Sequence, residues 1–327
     1  MLFSLSVTVF FLSLLVSSIA TEFIIKIKGK EREGIPHLGG IAIWLSFLLA
    51  TLIIFNTRTG LVLSKEFLGI LVCSTLIFIV GLIDDKRELS VAVKLLTQLF
   101  AASLVMNFGV RTEIVGIGEF GNIVVTLLWI LGITNAFNHL DIIDGLSSGI
   151  AFISAFTFYL ISLMTFNIPV ALFLLGLAGS ILGFFRFNFP KAKIYMGNSG
   201  SHFLGFILGT FAIMISYATL EKRLALIIPL LILGLPVFDT LFVAVVRSLK
   251  HKPIWQKSED HLPLRFIALG LSKKRMVIYM CFLTLIFCVS SILILYLSNK
   301  IGLVLLALLV VLCICIAISA KREKSDG

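Results

Sequence analysis

The chain alternates between long apolar runs and short polar connections. Eleven apolar stretches stand out, at residues 2–25, 38–55, 67–83, 91–108, 123–137, 149–165, 169–185, 201–220, 224–246, 276–297 and 301–320. A membrane-crossing helix needs roughly 20 apolar residues, and most of these runs approach that length. The pattern therefore predicts an all-α polytopic membrane bundle of about eleven transmembrane helices. Pro229 and Pro236 fall inside the ninth run and should bend or break it. The first run has no basic segment before it and is too long for a signal sequence, so it reads as a first transmembrane helix.

Composition agrees with that pattern. The 327 residues are 59% hydrophobic and 13% charged, with mean hydropathy +1.12. The net charge of +10 would suit a nucleic-acid binder, but the basic residues sit in short connections and form no single face. Most lie in the odd-numbered connections and the C-terminal tail: Lys26 to Arg32, Lys86, Arg87, Arg186, Lys191, Lys193, the 247–275 loop, and Lys321 to Lys324. The positive-inside rule then puts the N-terminus outside and the C-terminus in the cytoplasm. The 247–275 loop is the longest polar segment of what reads as one membrane domain over 1–327. The five cysteines all lie within apolar runs and read as small buried hydrophobes.

This orientation rests on Lys and Arg alone, yet it collects the unusual polar clusters on the cytoplasmic face. These are PHLGG at 36–40, Asp84-Asp85, residues 135–146, residues 196–202, and Asp260-His261. Independent helix ends would scatter over both faces, so one shared site is the economical explanation. Residues 135–146 read NAFNHLDIIDGL, with polar groups at 135, 138, 141 and 144. Carboxylate and amide oxygens gathered on one point suit a hard cation such as Mg²⁺; the alternative is a polar turn between two membrane helices. Asp84 and Asp85 close a helix at its negative end and need a cation: Lys86, Arg87, Lys94 or a metal ion. Gly197 to Ser201 open a helix whose first amides could receive an anion, with Lys191 and Lys193 nearby and Tyr195 as a flat surface for a base. Asp239, inside the ninth run, is either functional or structurally paired.

Together these stretches resemble the polyprenyl-phosphate N-acetylhexosamine-1-phosphate transferase family, glycosyltransferase family 4, in the undecaprenyl-phosphate GlcNAc-1-phosphate branch. PHLGG resembles the family's P-R-L-G-G. GLIDDKREL with Lys94, Leu95 and Gln98 resembles D-D-x-x-x-L…K-L-x-x-Q. NAFNHLDIIDGL resembles N-A-x-N-x-x-D-G-x-D-G-L. PVFDT with Arg247 resembles P-x-x-D-T…R, and residues 260–272 resemble D-H-x-x-H-R-L-x-x-x-G-L-S. Five motifs in order cover most of the chain. Three positions depart from them: Asn198 stands where the family has an Asp metal ligand, Ile142 replaces a Gly, and Leu264 replaces a second loop His.

The resemblance implies transfer of N-acetylhexosamine-1-phosphate, GlcNAc-1-phosphate by default, from a UDP-sugar to undecaprenyl phosphate, with UMP released. It implies a Mg²⁺ cofactor (Mn²⁺ in its place), a bilayer setting in the cytoplasmic membrane with the active site on the cytoplasmic face, and it allows a homodimer. Residue by residue it assigns Asp84, Asp85, Asp141, Asp144 and His261 to catalysis. Lys94, Asn188, Tyr195, Gly39, Gly40 and Arg265 go to substrate binding, and Asn138 and Asn198 to the metal. A transferase acting on a UDP-muramoyl-pentapeptide and a non-enzymatic transporter of lipid-linked sugar are the competing readings.

Overall fold

The structure, a computed structural model, describes residues 2–28, 35–56, 64–215, 217, 223–253 and 258–321. Among the described residues every regular element is a helix. The chain clusters into two compact units, Met1–Ser216 and Tyr217–Gly327.

The first unit holds α1 (Leu2–Lys28), α2 (Gly39–Asn56), α3 (Lys65–Lys86), α4 (Val91–Asn107), α5 (Gly118–Leu140), α6 (Leu146–Met164), α7 (Ile168–Asn188) and α8 (Gly197–Met214). α8 is the central element and packs against α2, α3, α5 and α6. It is buried along nearly its whole length, polar residues included. Small residues let neighbouring backbones meet, as expected where lipid removes the hydrophobic drive between helices. On α1, Ser17 Oγ donates to the Ser180 carbonyl at 2.6 Å and Ser18 Oγ to that of Gly183 at 3.3 Å, stitching α1 to α7. Large apolar side chains point outward instead: Phe3, Phe11 and Phe23 on α1, Leu96 and Phe100 on α4. That distribution is inside-out for water and ordinary for hydrocarbon.

The second unit begins with a 3₁₀ turn, Arg223–Ile227, and continues through α9 (Ile228–Ile232), α10 (Gly234–Leu249), α11 (Leu262–Ala268), α12 (Lys273–Tyr296) and α13 (Asn299–Lys321). The proline expectation holds. The segments Leu224–Ile232 and Gly234–Leu249 meet at 78°. Pro229 lies in the first turn of α9 and Pro236 in that of α10, where a missing N–H costs nothing.

All eleven apolar runs correspond to helical segments, but not all are spans by length. Among the described residues seven helices are long and apolar enough to cross a membrane: α1, α3, α5, α6, α7, α12 and α13; the bent α9–α10 pair makes up to eight. α2 and α4 are shorter apolar helices. The five cysteines are free, as expected, but only Cys73 and Cys288 are buried; Cys315 lies exposed on α13.

Candidate active site

Asp84 and Asp85 are adjacent in sequence and have separate duties. The Asp84 carboxylate is buried. It accepts the Leu89 amide at 2.7 Å and pairs with Lys94 Nζ at 3.0 Å, so of the cations expected to compensate it, Lys94 does so. Asp85 turns towards the start of α8. Its Oδ1 accepts the Asn198 amide at 2.7 Å and its Oδ2 the Ser199 amide at 3.1 Å. Met196, the residue preceding α8, contributes no side-chain cap, so Asp85 caps α8 from another helix. This corrects the expectation that these amides would receive a substrate anion: the protein's own carboxylate holds them.

The approach behind this cap requires glycine. A Cβ on Gly40 would lie 2.5 Å from the Gly200 nitrogen, and one on Gly81 would lie 2.5 Å from Ser199 Cα. The Gly39 and Gly40 amides donate to the Tyr195 and Met196 carbonyls, each at 2.9 Å. Both glycines, expected at the substrate, are buried in this close packing. Tyr195 is half-buried, with its ring centroid 4.8 Å from that of His37.

The 135–146 stretch resolves into two parts. Asn135 and Asn138 sit on the last turns of α5, while Asp141 and Asp144 lie in the turn before α6. Asn135 pairs with Gln98 of α4, its Nδ2 donating to Oε1 at 2.6 Å. Asn138 Nδ2 donates to Asn198 Oδ1 at 2.9 Å and to Ser201 Oγ at 3.1 Å, so the two expected metal ligands meet. Asp144 Oδ2 accepts the Ala192 amide at 3.3 Å. The Asp141 carboxylate accepts no hydrogen bond from the described residues. Burial, and then the neighbouring charges of Asp85 and Asp144, push its carboxyl up to about 7.

Asn188, an expected substrate-binding residue, is hydrogen-bonded on both ends of its amide within the first unit. Its Oδ1 accepts from the Gly145 amide at 2.9 Å and Ser148 Oγ at 2.8 Å, and its Nδ2 donates to the Ile194 carbonyl. It clamps the turn in which Gly145 has φ +76°, which a side chain would strain. It therefore positions Asp144 from below.

In the second unit His261 is 6% exposed and Asp239 1%. Asp239 Oδ2 lies 2.6 Å from His261 Nδ1, and its Oδ1 accepts the Leu262 amide at 2.8 Å. Asp239 was visible in the sequence as a carboxylate inside an apolar run; its partner was not. Arg265, an expected substrate-binding residue, makes contacts within the second unit. It donates to Asp260 Oδ1 at 2.7 Å and to the Ala320 carbonyl at 3.3 Å, and packs over the Phe242 ring. Asp260 also receives Lys250 Nζ at 2.8 Å and Ser258 Oγ at 3.1 Å. Burial raises its carboxyl, but the bonds from Lys250, Arg265 and Ser258 outweigh it and hold the group well below the usual carboxylate range.

Among the described residues no three His, Cys, Asp or Glu groups are arranged to hold a metal ion. The donor set fits a hard cation. Asn138, Asn198, Asp141 and Asp144 offer oxygens of the kind such a cation takes. Ligation by both amides needs the Asn138 amide turned so that Oδ1 faces Asn198; Ser201 Oγ can donate as readily as accept, so it tolerates that turn.

Known proteins with the same pattern bear on this geometry. Residues 67–216 match the model of "Glycosyl transferase family 4". The chain is 32% identical over 265 residues to a probable undecaprenyl-phosphate N-acetylglucosaminyl 1-phosphate transferase of Bacillus subtilis, covering 79% of this chain and 72% of that one. It is 30% identical over 308 residues to an undecaprenyl-phosphate alpha-N-acetylglucosaminyl 1-phosphate transferase of Thermotoga maritima, covering 85% and 91%. A phospho-N-acetylmuramoyl-pentapeptide-transferase of Clostridium beijerinckii is 31% identical over 284 residues, covering 80% and 82%.

Proposed function

The chain belongs to glycosyl transferase family 4, and from that premise we propose that it transfers N-acetylhexosamine-1-phosphate, GlcNAc-1-phosphate foremost, from a UDP-sugar to undecaprenyl phosphate. An oxygen of the lipid phosphate attacks the sugar-bearing phosphorus. The bond from that phosphorus to the bridging diphosphate oxygen breaks, and UMP leaves with the electron pair. Such a transfer asks a protein for positioning and charge neutralisation more than for covalent chemistry. The observation that carries the reading is the meeting of the end of α5 with the start of α8 through Asn138 and Asn198, with Asp141 and Asp144 in the adjoining turn.

Asn138 and Asn198, with Asp141 and Asp144 beside them, would hold Mg²⁺ or Mn²⁺, which when bound neutralises diphosphate oxygens. Asp141, titrating near neutrality, can accept the proton of a monoanionic lipid phosphate. Lys94, steadied by Asp84, brings positive charge for a phosphate oxygen. Asp85 keeps α8, and so Asn198, in place. Tyr195 offers a ring for the uracil, and His261 meets an anionic substrate oxygen. The setting is the cytoplasmic membrane, with eleven crossings, N-terminus outside, C-terminus inside and the site open to the cytoplasm; a homodimer is compatible with this.

The test is UMP release by the purified protein in detergent with UDP-GlcNAc, undecaprenyl phosphate and Mg²⁺. Release abolished by EDTA supports the reading, and metal-independent release refutes the metal assignment. Asn198→Asp adds a formal charge to the donor set and should lower the Mg²⁺ concentration for half-maximal activity by about tenfold. A UDP-muramoyl-pentapeptide donor is the second reading, favoured by the Clostridium beijerinckii similarity; preferential turnover of that donor over UDP-GlcNAc would select it.

A further inference from the structure

Asp239 is among the most deeply buried carboxylates in the second unit, and none of the roles above uses it. Burying a carboxylate is costly unless its oxygens are satisfied, and here each oxygen has one specific partner. Oδ1 accepts the Leu262 amide at 2.8 Å, at the start of α11, and Oδ2 faces His261 Nδ1 at 2.6 Å. Asp239 comes from the first turns of α10, behind Gly234 and Pro236, and Thr240 Oγ1 bonds back to the Pro236 carbonyl at 2.9 Å. The loop that follows is anchored twice more: Arg247 Nε donates to the Pro253 carbonyl at 2.7 Å, and Lys250 and Arg265 both grip Asp260. His261 is thus held on one side by a carboxylate fixed in a helix and on the other by a pinned neighbour.

A carboxylate without a proton only accepts, so a hydrogen bond across the 2.6 Å contact to such a carboxylate requires the proton on Nδ1. Substrate chemistry at this ring therefore falls to Nε2. We propose that Asp239 is a positioning residue for His261: it fixes the ring's tautomer and direction so that Nε2 meets an anionic oxygen of the substrate. The same carboxylate caps α11, so the direction of the ring and the start of the helix are set by one group. This inference rests on the phosphotransfer reading for what Nε2 meets, but the geometric claim stands apart from it.

Two measurements on the full-length protein in detergent test it. The first is the ¹⁵N spectrum of histidine-labelled protein, with the His261 signals assigned by their loss in His261→Ala. The Nδ1–H form in the parent is expected; the neutral Nε2–H form would overturn the proposal whether or not any variant folds. The second is a double-mutant cycle on UMP release. Asp239→Asn keeps an oxygen for the Leu262 amide but places an NH₂ against Nδ1, which forces the other tautomer. It should lower kcat/KM by roughly 10–100-fold, the range found when the group orienting a functional histidine is lost. In a His261→Ala background the same change should cost less than about twofold, because the residue it acts through is gone. Full additivity of the two changes would overturn the proposal. A parent that releases no UMP with either donor would sink the phosphotransfer reading instead, and the spectrum would still decide the positioning.

Discussion

Asp84 and Asp85 show how neighbours acquire unrelated work. Consecutive helix residues point about 100° apart, so one carboxylate turns to Lys94 on α4 and the other to the amides of α8. Asp85→Ala should leave two amides without their acceptor and lower stability by on the order of 2 kcal/mol, read from thermal unfolding in detergent. Asp85→Asn keeps one acceptor and should retain most of that stability. Equal unfolding temperatures for the two variants would show that the cap is idle. The motif was legible in the sequence because adjacent acids at a helix end are rare; the division of labour was not, since it depends on which helices lie on either side. Arg265 and Asn188 teach the same lesson from the opposite direction. Their motif positions suggested substrate contact, but an arginine near an aspartate and a membrane-end asparagine also satisfy local backbone, and nothing in the letters separates the two uses. Asp260 gives a pH test. Its carboxyl is depressed in the folded state, so its contribution is present above the unfolded carboxylate range and is lost as pH falls through the folded value. Asp260→Asn should therefore destabilise the protein at pH 7 and progressively less below pH ~4, the unfolded carboxylate range. A constant difference across that window would exclude the ionic contribution.

At the scale of elements, two helices start without a cap of their own and borrow one from elsewhere in their unit: α8 from Asp85 of α3, α11 from Asp239 of α10. By contrast α4, α7 and α12 use the local side chains Ser90, Asn167 and Ser272. Local caps are written in the sequence three residues before the amide they serve; borrowed caps are written more than a hundred residues away for α8, which is why pattern reading placed a substrate anion there. The apolar runs themselves marked the helices well, and the two prolines marked the 78° break. The fifth run underestimated its helix, 123–137 against Gly118–Leu140, because Glu119, Asn122, Asn138 and His139 end the apolar pattern without ending the backbone geometry. Asn122 is used at that end: its Oδ1 accepts the Ile114 amide at 2.7 Å and its Nδ2 donates to the Gly118 carbonyl at 2.9 Å. The borrowed cap of α8 depends on close approach by α2 and α3. Gly81→Val should push α3 from α8, cost about 1–3 kcal/mol of overpacking, and abolish UMP release, with normal insertion checked by yield in the membrane fraction. Parental activity in that variant would mean that Asp85 reaches α8 without tight packing.

For the whole molecule, parity is the test that membrane topology offers. Seven long spans put the two ends of a chain on opposite sides; counting the bent α9–α10 pair as an eighth puts them on the same side; adding α2, α4 and α8 brings the number to eleven and separates the ends again. Lys and Arg arbitrate, because they concentrate in the odd-numbered connections and the C-terminal tail. The proposed eleven-crossing arrangement accords with that bias and requires α2, α4 and α8 to cross despite their length. A short crossing helix is tolerable when it is shielded by its neighbours or when the bilayer thins around it, and α8 is the most enclosed helix of its unit. Cysteine labelling would check this. A cysteine-free background removes Cys73, Cys281, Cys288, Cys313 and Cys315, and single cysteines then replace Ser4 near the N-terminus and Lys324 in the tail. A membrane-impermeant maleimide applied to intact cells should label the Ser4→Cys protein and leave Lys324→Cys untouched until the membrane is opened. Labelling of both ends from outside, or of neither, would return the count to an even number and remove one or three of α2, α4, α8 and the bent α9–α10 pair from the set of crossings.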